Sequence, residues 1–317
     1  MADIYQAQGN EEKYSEALER VMGQSPDSEQ GLVAMIEYAE LHYDTQTAAE
    51  WRNFLDPVYQ VQDTLELRPR AEMVQIRALL YAKDVFPLVS KIEYYVSMYP
   101  EENTNRALLQ IKEDVLFEKA QEFLAADNDR DALTLFNQLL SQFPESPKVP
   151  VINQYIDDIY YGRALKLYNA GDYTGAIAAV EDRMLNSTQM LANRWPMLLE
   201  DAKHMYILTG LGVLPTWRIR YSVRDYLSFF PDGRYVDELK GILMQNFKDP
   251  YNEAFNIGDD AAVVRLYDEN KAWLEQWPDQ AVANMAKIQV TQSLLRLGLR
   301  DQAEAMFKTI TPMLNME

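Results

Sequence analysis

Residues 120–147 read AQEFLAADNDRDALTLFNQLLSQFPESP. Ala132, Leu133, Leu135, Phe136, Leu139, Leu140 and Phe143 recur in steps of three and four, which draws one stripe along a helix. Asp127-Asn128-Asp129 breaks the chain before this stripe, and Phe143-Pro144 stops it. Val74, Ala78, Tyr81 and Ala82 repeat the pattern upstream, and Val263, Leu266, Tyr267, Trp273 and Leu274 repeat it downstream. Glycine is 12 of 317 residues, and the tight-turn dipeptide Asp232-Gly233 follows Pro231 in a loop. Strand signals are poor, and the spacing predicts an all-α chain.

The stop recurs. Tyr99-Pro100, Phe143-Pro144, Phe230-Pro231 and Trp277-Pro278 each end an amphipathic stretch, with their prolines 44, 87 and 47 residues apart. The middle interval is near twice the first, which places an unmarked stop at Asn186-Ser187-Thr188; Asp56-Pro57 lies one interval before Pro100. A period of 20–50 residues is the mark of a helical solenoid, and a repeat of about 44 residues fits the chain about six times. A second mark sits inside the repeats: Ala170-Gly171-Asp172-Tyr173-Thr174-Gly175-Ala176, with further copies at 127–132, 258–263 and 298–303 and a looser one at Gly9-Asn10. A glycine or asparagine tolerates the left-handed residue that ends one helix, and Asp or Asn caps the next. The small residue lets the two helices approach.

At these residues the chain resembles the tetratricopeptide repeat family. Ala132, Phe136 and Pro144 match the small, aromatic and proline positions of its second helix; Ala120 and Phe123 match its first; Ala164 and Leu167 match in part, as does Ala303 with Phe307. The resemblance implies a right-handed α-α superhelix of antiparallel hairpins over 1–317, clearest at 113–190 and 244–317. The longer repeat and the Phe143-Pro-Glu-Ser-Pro147 loop resemble bacterial members such as outer-membrane assembly lipoproteins and cell-division coordinators. The family's groove-lining positions fall on Asp114, Phe117, Gln121, Leu124 and Ala125 in one repeat, and on Asp158, Tyr161, Leu165, Tyr168 and Asn169 in the next.

Charge excludes other classes. With 30 basic and 49 acidic residues the net charge is −19, which argues against a phosphate-binding face for nucleic acid and against anionic lipid. No uncharged apolar run is long enough to span a membrane. The start, MADIYQAQGNEEKYSEA, has neither the charged nor the apolar part of a signal peptide, and suits a mature chain or a fragment. There is no cysteine, so no disulfide, thiol nucleophile or cysteine metal site is available.

Catalytic patterns are scarce. His42 and His204 stand alone on helices, without a metal-binding spacing. The pairs Asp157-Asp158, Asp259-Asp260 and Glu101-Glu102 read as caps and solvated charges rather than glycosidase acids. Gly210-Leu-Gly212 reads as a helix end. Tyrosines cluster at Tyr94, Tyr95 and Tyr99 and at Tyr155, Tyr160, Tyr161 and Tyr168, residues suited to a wet core or to recognition. One basic stretch, Thr216–Arg224, sets Trp217, Arg220, Tyr221 and Arg224 on one face. It fits an interface, or an internal net with Asp225, Asp237 and Glu238.

The sequence therefore predicts a non-enzymatic scaffold that binds a neutral or basic protein through its concave helical face, without cofactor or metal, in a bacterial envelope, motor or secretion assembly. A peptide or small-molecule sensor on the same fold is the alternative, followed by an α/α carbohydrate enzyme. Absence of cysteine and abundance of tyrosine favour the periplasm over the cytoplasm. The uncapped end, Met313–Glu317, leads to the expectation that further chain or another subunit covers the last hairpin.

Overall fold

The computed structural model describes residues 2–61, 66–186, 194–275 and 280–314, and among these forms helices and no strand. It divides into two compact units, Met1–Ile156 and Asp157–Glu317, each taken by itself below. The first holds α1 (Ala2–Ala7), α2 (Glu11–Gln24), α3 (Glu29–Leu41), α4 (Ala48–Phe54), α5 (Asp56–Gln60), α6 (Arg68–Tyr81), α7 (Val85–Met98), α8 (Asn105–Ala125) and α9 (Asp129–Gln142). The division falls inside α10 (Val149–Asn169). The second holds α11 (Tyr173–Asn186), α12 (Arg194–Gly210), α13 (Thr216–Phe229), α14 (Val236–Ile257), α15 (Asp260–Leu274), α16 (Gln280–Arg296) and α17 (Arg300–Leu314).

Within α1–α3, α6–α9 and α11–α17 each helix packs on the next in the chain, as short connections require. The result is an all-α array of helical hairpins, tetratricopeptide-like in its construction. Helices α8, α10, α12, α14 and α16 begin at residues 105, 149, 194, 236 and 280, intervals of 42–45 residues. No described helix is long and apolar enough to cross a membrane.

The aromatic–proline mark has one geometry wherever it is described. Tyr99, Phe143 and Phe230 are the C-caps of α7, α9 and α13, with φ of −128°, −130° and −127° and ψ of 64°, 59° and 68°. Each still donates its N–H to the carbonyl four residues back. The following proline excludes the α conformation for the residue before it, so the helix must stop there. The aromatic carbonyl then accepts from Glu102, Ser146 or Gly233 three residues on, at 3.2, 3.1 and 3.1 Å, a β-turn with proline at its second position. Pro57 differs: it lies in the first turn of α5, where its fixed φ and missing N–H suit a helix start, so it opens a helix rather than ending one. Trp277-Pro278, Ser187-Thr188 and the last three residues, with the expectation about the chain's end, lie outside the described residues.

The second mark joins α8 to α9, α10 to α11, α14 to α15 and α16 to α17. Gly171, Gly258 and Gly298 take φ of 80°, 78° and 76°. Asn128, Asp172 and Asp259 cap the following helices by accepting from the N–H three residues on. Ala120 and Ala132 are fully buried, as are Ala164 and Ala176. In the α8–α9 connection the left-handed residue is Asp127, at φ 56°. A side chain there carries a steric cost that glycine lacks. Asp127→Gly is expected to raise stability by about 0.5–1 kcal/mol, read as an increased midpoint in chemical denaturation with unchanged slope.

A further periodicity is buried. Glu72 of α6, Glu113 of α8, Asp157 of α10 and Glu200 of α12 follow one another at 41, 44 and 43 residues, and each is under a tenth exposed. Glu72 pairs with Lys91 of α7. Glu113 accepts the Ser146 hydroxyl and lies 3.5 Å from Lys148 Nζ. Glu200 accepts from Tyr226 Oη at 2.7 Å and from the Arg234 backbone and Nε at 2.5 and 3.0 Å. Asp157 accepts from Trp195 Nε1 at 3.0 Å and Arg194 Nη2 at 2.5 Å. Glu113 and Glu200 thus clasp the chain just beyond the Phe143-Pro144 and Phe230-Pro231 turns, and Asp157 clasps the start of α12. Burial opposes ionisation of Glu200, but the donors outweigh it and hold its carboxyl below the usual carboxylate range.

Candidate partner-binding groove

Helix α13 buries one side. Ile219, Val223 and Tyr226 are buried against Ile207 of α12 and Leu239 and Leu243 of α14. That register turns Trp217 and Tyr221, one helical turn apart, outward, at 62% and 68% exposure. Arg218, Ser222 and Asp225 form the adjoining ridge. Together these five, with Thr174 and Ile177 of α11 and Lys203 and Tyr206 of α12, line a groove of about 380 Å³. Its walls are α11 and α13, and α12 lies between.

Lys203 closes one side of the groove. Its ammonium lies 2.6 Å from Asp225 and 2.8 Å from Glu181, over the Phe229 ring at 4.7 Å. Burial disfavours the charge, but the two carboxylates more than offset this and raise its pKa. The triad ties α11, α12 and α13 together, so the groove walls are held before anything binds. Trp217 and Tyr221 are a pair by spacing alone; Lys203, whose two carboxylate partners each lie 22 residues away, and Tyr206 carry no local signal.

Two other arginines of the same stretch, Arg220 and Arg224, turn the other way. Arg220 Nη2 lies 3.4 Å from Glu269, and Arg224 Nη2 donates to Asn270 Oδ1 at 2.9 Å and to the Glu269 carbonyl at 3.3 Å. Burial, then the nearby Arg220, pull the Arg224 guanidinium below its usual range. The basic stretch therefore joins α15 through Arg220 and Arg224 and leaves Arg218 and its aromatics to the groove. The internal net exists, but with Glu269 and Asn270; Asp225 serves Lys203 and Glu238 serves His204 at 2.9 Å. His204 is also stacked on Tyr235, centroids 3.7 Å apart.

The residues assigned by family register to the inner groove are placed largely at seams between helices. In the first unit, Phe117 lies against Phe136 and Tyr155, Gln121 donates to Tyr155 Oη at 3.0 Å, and Asp114 pairs with Lys148. In the second, Asp158 pairs with Arg194 at 2.7 Å and Tyr161 meets Trp195 edge-on at 5.3 Å. Tyr168 contacts Tyr173, and burial followed by the charge of Asp201 raises its pKa. Ala125, Asp158 and Asn169 are the exposed members of this set. The acid pairs have structural partners too: Asp157 is buried as described, Asp259 caps α15, and Asp260 meets Arg296 at 3.4 Å. Among the described residues no group of three or more His, Asp or Glu is placed to hold a metal ion.

No family model matches the chain, and no curated protein matches it. Among solved structures, a tetratricopeptide repeat protein from Parabacteroides merdae is similar at 12% identity and a TM-score of 0.28, covering 77% of this chain and 95% of that one. The human IFIT1 dimer with m7Gppp-AAAA is similar at 15% identity and a TM-score of 0.23, covering 98% of this chain and 66% of that one. The order and hairpin packing of the helices, rather than these likenesses, carry the reading of a tetratricopeptide-like helical repeat.

Proposed function

We propose that this protein is a protein-interaction scaffold of a bacterial multiprotein assembly, of the envelope, motor or secretion kind, that acts by binding rather than by catalysis. The observation that carries this reading is the pair of exposed aromatics, Trp217 and Tyr221, over a braced groove of about 380 Å³. An aromatic ring left in water on a rigid helix is an unfavourable surface for a free protein and a favoured anchor in a complex. Burying one such ring removes roughly 150–250 Å² from water, about 4–6 kcal/mol gross. The partner segment inserts an apolar side chain between α11 and α13, and the solvent-open Asp158 and Asn169 of α10 offer a second, polar contact. The net charge of −19 favours a partner that is neutral or basic overall, with encounter slowed by salt.

The test replaces Tyr221 by a photo-crosslinking phenylalanine in cells that express the chain naturally. One discrete adduct is expected, lost when Trp217→Ala is added. The same adducts from Leu185, an exposed residue of α11 outside the groove, would overturn the reading.

A further inference from the structure

Helix α16 carries two apolar stripes. Ala283, Ala286, Val290 and Leu294 are buried in the core with Phe247, Tyr251, Val263 and Tyr267. On the other side Ala281, Met285, Ile288 and Leu295 face solvent, with one polar residue, Gln292, in the same row. Their spacing is 4-3-4-3, the seam that two helices need to pack side by side over about 21 Å. Met285 is 56% exposed, Ile288 37% and Leu295 56%. A helix apolar on both faces is normally covered on both. The seam is continuous with a groove of about 360 Å³ between α14 and α16, which Ala281 and Met285 also line, opposite Phe247 and Tyr251.

Charge selects the occupant. The chain has 49 acidic residues, and every described helix except α16 contains at least one; α16 contains none. Two copies at −19 repel each other wherever acids meet acids. A face without acids is where that repulsion is weakest. The cations of α16 do not obstruct it: Lys287 is buried and Arg296 lies at Asp260.

We propose that α16 pairs with α16 of a second copy of this chain, antiparallel about a two-fold axis at Ile288. This register sets Ala281 against Leu295 of the second copy, small against large, Met285 against Gln292, and Ile288 against itself. The patch is self-complementary, so the pairing closes at two copies. A single helix seam with its adjoining groove is at the small end of specific interfaces, about 1,200 Å² or less, so the dimer is a reversible one.

Sedimentation of the full chain at tens of micromolar is expected to give a species of twice 36.7 kDa, strengthened by salt as the repulsion between copies is screened. Ile288→Asp is expected to weaken association at least a hundredfold, with helical content and melting temperature unchanged. Because the chain has no cysteine, Ile288→Cys provides an independent readout: on the two-fold axis it crosslinks to itself under mild oxidation, whereas Leu185→Cys does not. A monomer throughout the concentration range, a dimer indifferent to Ile288→Asp, or equal crosslinking of the two cysteine variants overturns the proposal.

Discussion

Asp157→Ala is expected to destabilise the second unit by about 3–5 kcal/mol, the range for removing one member of a buried ion pair. Asp157 is 1% exposed and accepts from Arg194 at 2.5 Å and from the buried Trp195 indole at 3.0 Å. Arg183 lies 3.6 Å away. With the carboxylate gone, the buried indole N–H loses its acceptor, Arg194 keeps only the half-exposed Asp158, and the start of α12 loses its buried tie to α10. Asp157→Asn keeps the shape and one acceptor but removes the charge, so a smaller loss is expected. Asp158→Ala, one residue on, removes only a half-exposed pair with Arg194 and is expected to cost under about 1 kcal/mol. Chemical denaturation of the three variants checks the order. Equal effects of Asp157→Ala and Asp158→Ala would show that burial of the carboxylate is not what holds α12.

The second large effect is expected at Gly31. A methyl group on Gly31 would overlap the Ser25 carbonyl, with the Pro26 carbonyl close behind at 3.1 Å. These are backbone atoms of the turn between α2 and α3, and Gly31 is itself held there by its N–H to Ser28 Oγ at 3.0 Å. Neither side can yield by a rotamer change. Gly31→Ala is therefore expected to cost about 1–3 kcal/mol or more, although alanine is the better helix former by about 1 kcal/mol. Gly241→Ala in α14, where a methyl group meets nothing within 4 Å, is expected to stabilise by about 0.5–1 kcal/mol. Opposite signs of the two melting shifts confirm that approach of the α2–α3 turn, not helix propensity, decides the outcome at Gly31.

Helical class and punctuation were legible in the sequence because they are local. Phe143-Pro144 excludes continuation of its helix, and Gly171-Asp172 ends one helix and caps another, whatever surrounds them. The buried carboxylates were not legible. Glu72, Glu113, Asp157 and Glu200 are four acids among 49, and nothing local separates Asp157, buried, from Asp158, exposed. Their period becomes visible only when the helices are stacked. The candidate site was half legible: Trp217 and Tyr221 share a face by spacing alone, while the partners of Arg220 and Arg224 lie 45 or more residues away. Phe117, Gln121 and Tyr161 come from register, and their contacts with Tyr155 and Trp195 are long-range and carry no local signal. A first helix has one flank toward its successor and another toward solvent, and a shift of one or two positions decides which flank a residue joins.

The central functional claim rests on Trp217. The most direct measurement is the dissociation constant of the partner captured at Tyr221, by titration calorimetry, for the unaltered chain and for Trp217→Ala. Truncating a central aromatic anchor costs about 2 kcal/mol or more, so affinity should fall roughly thirtyfold or more with the melting temperature unchanged. An affinity within twofold of the unaltered chain would contradict the account.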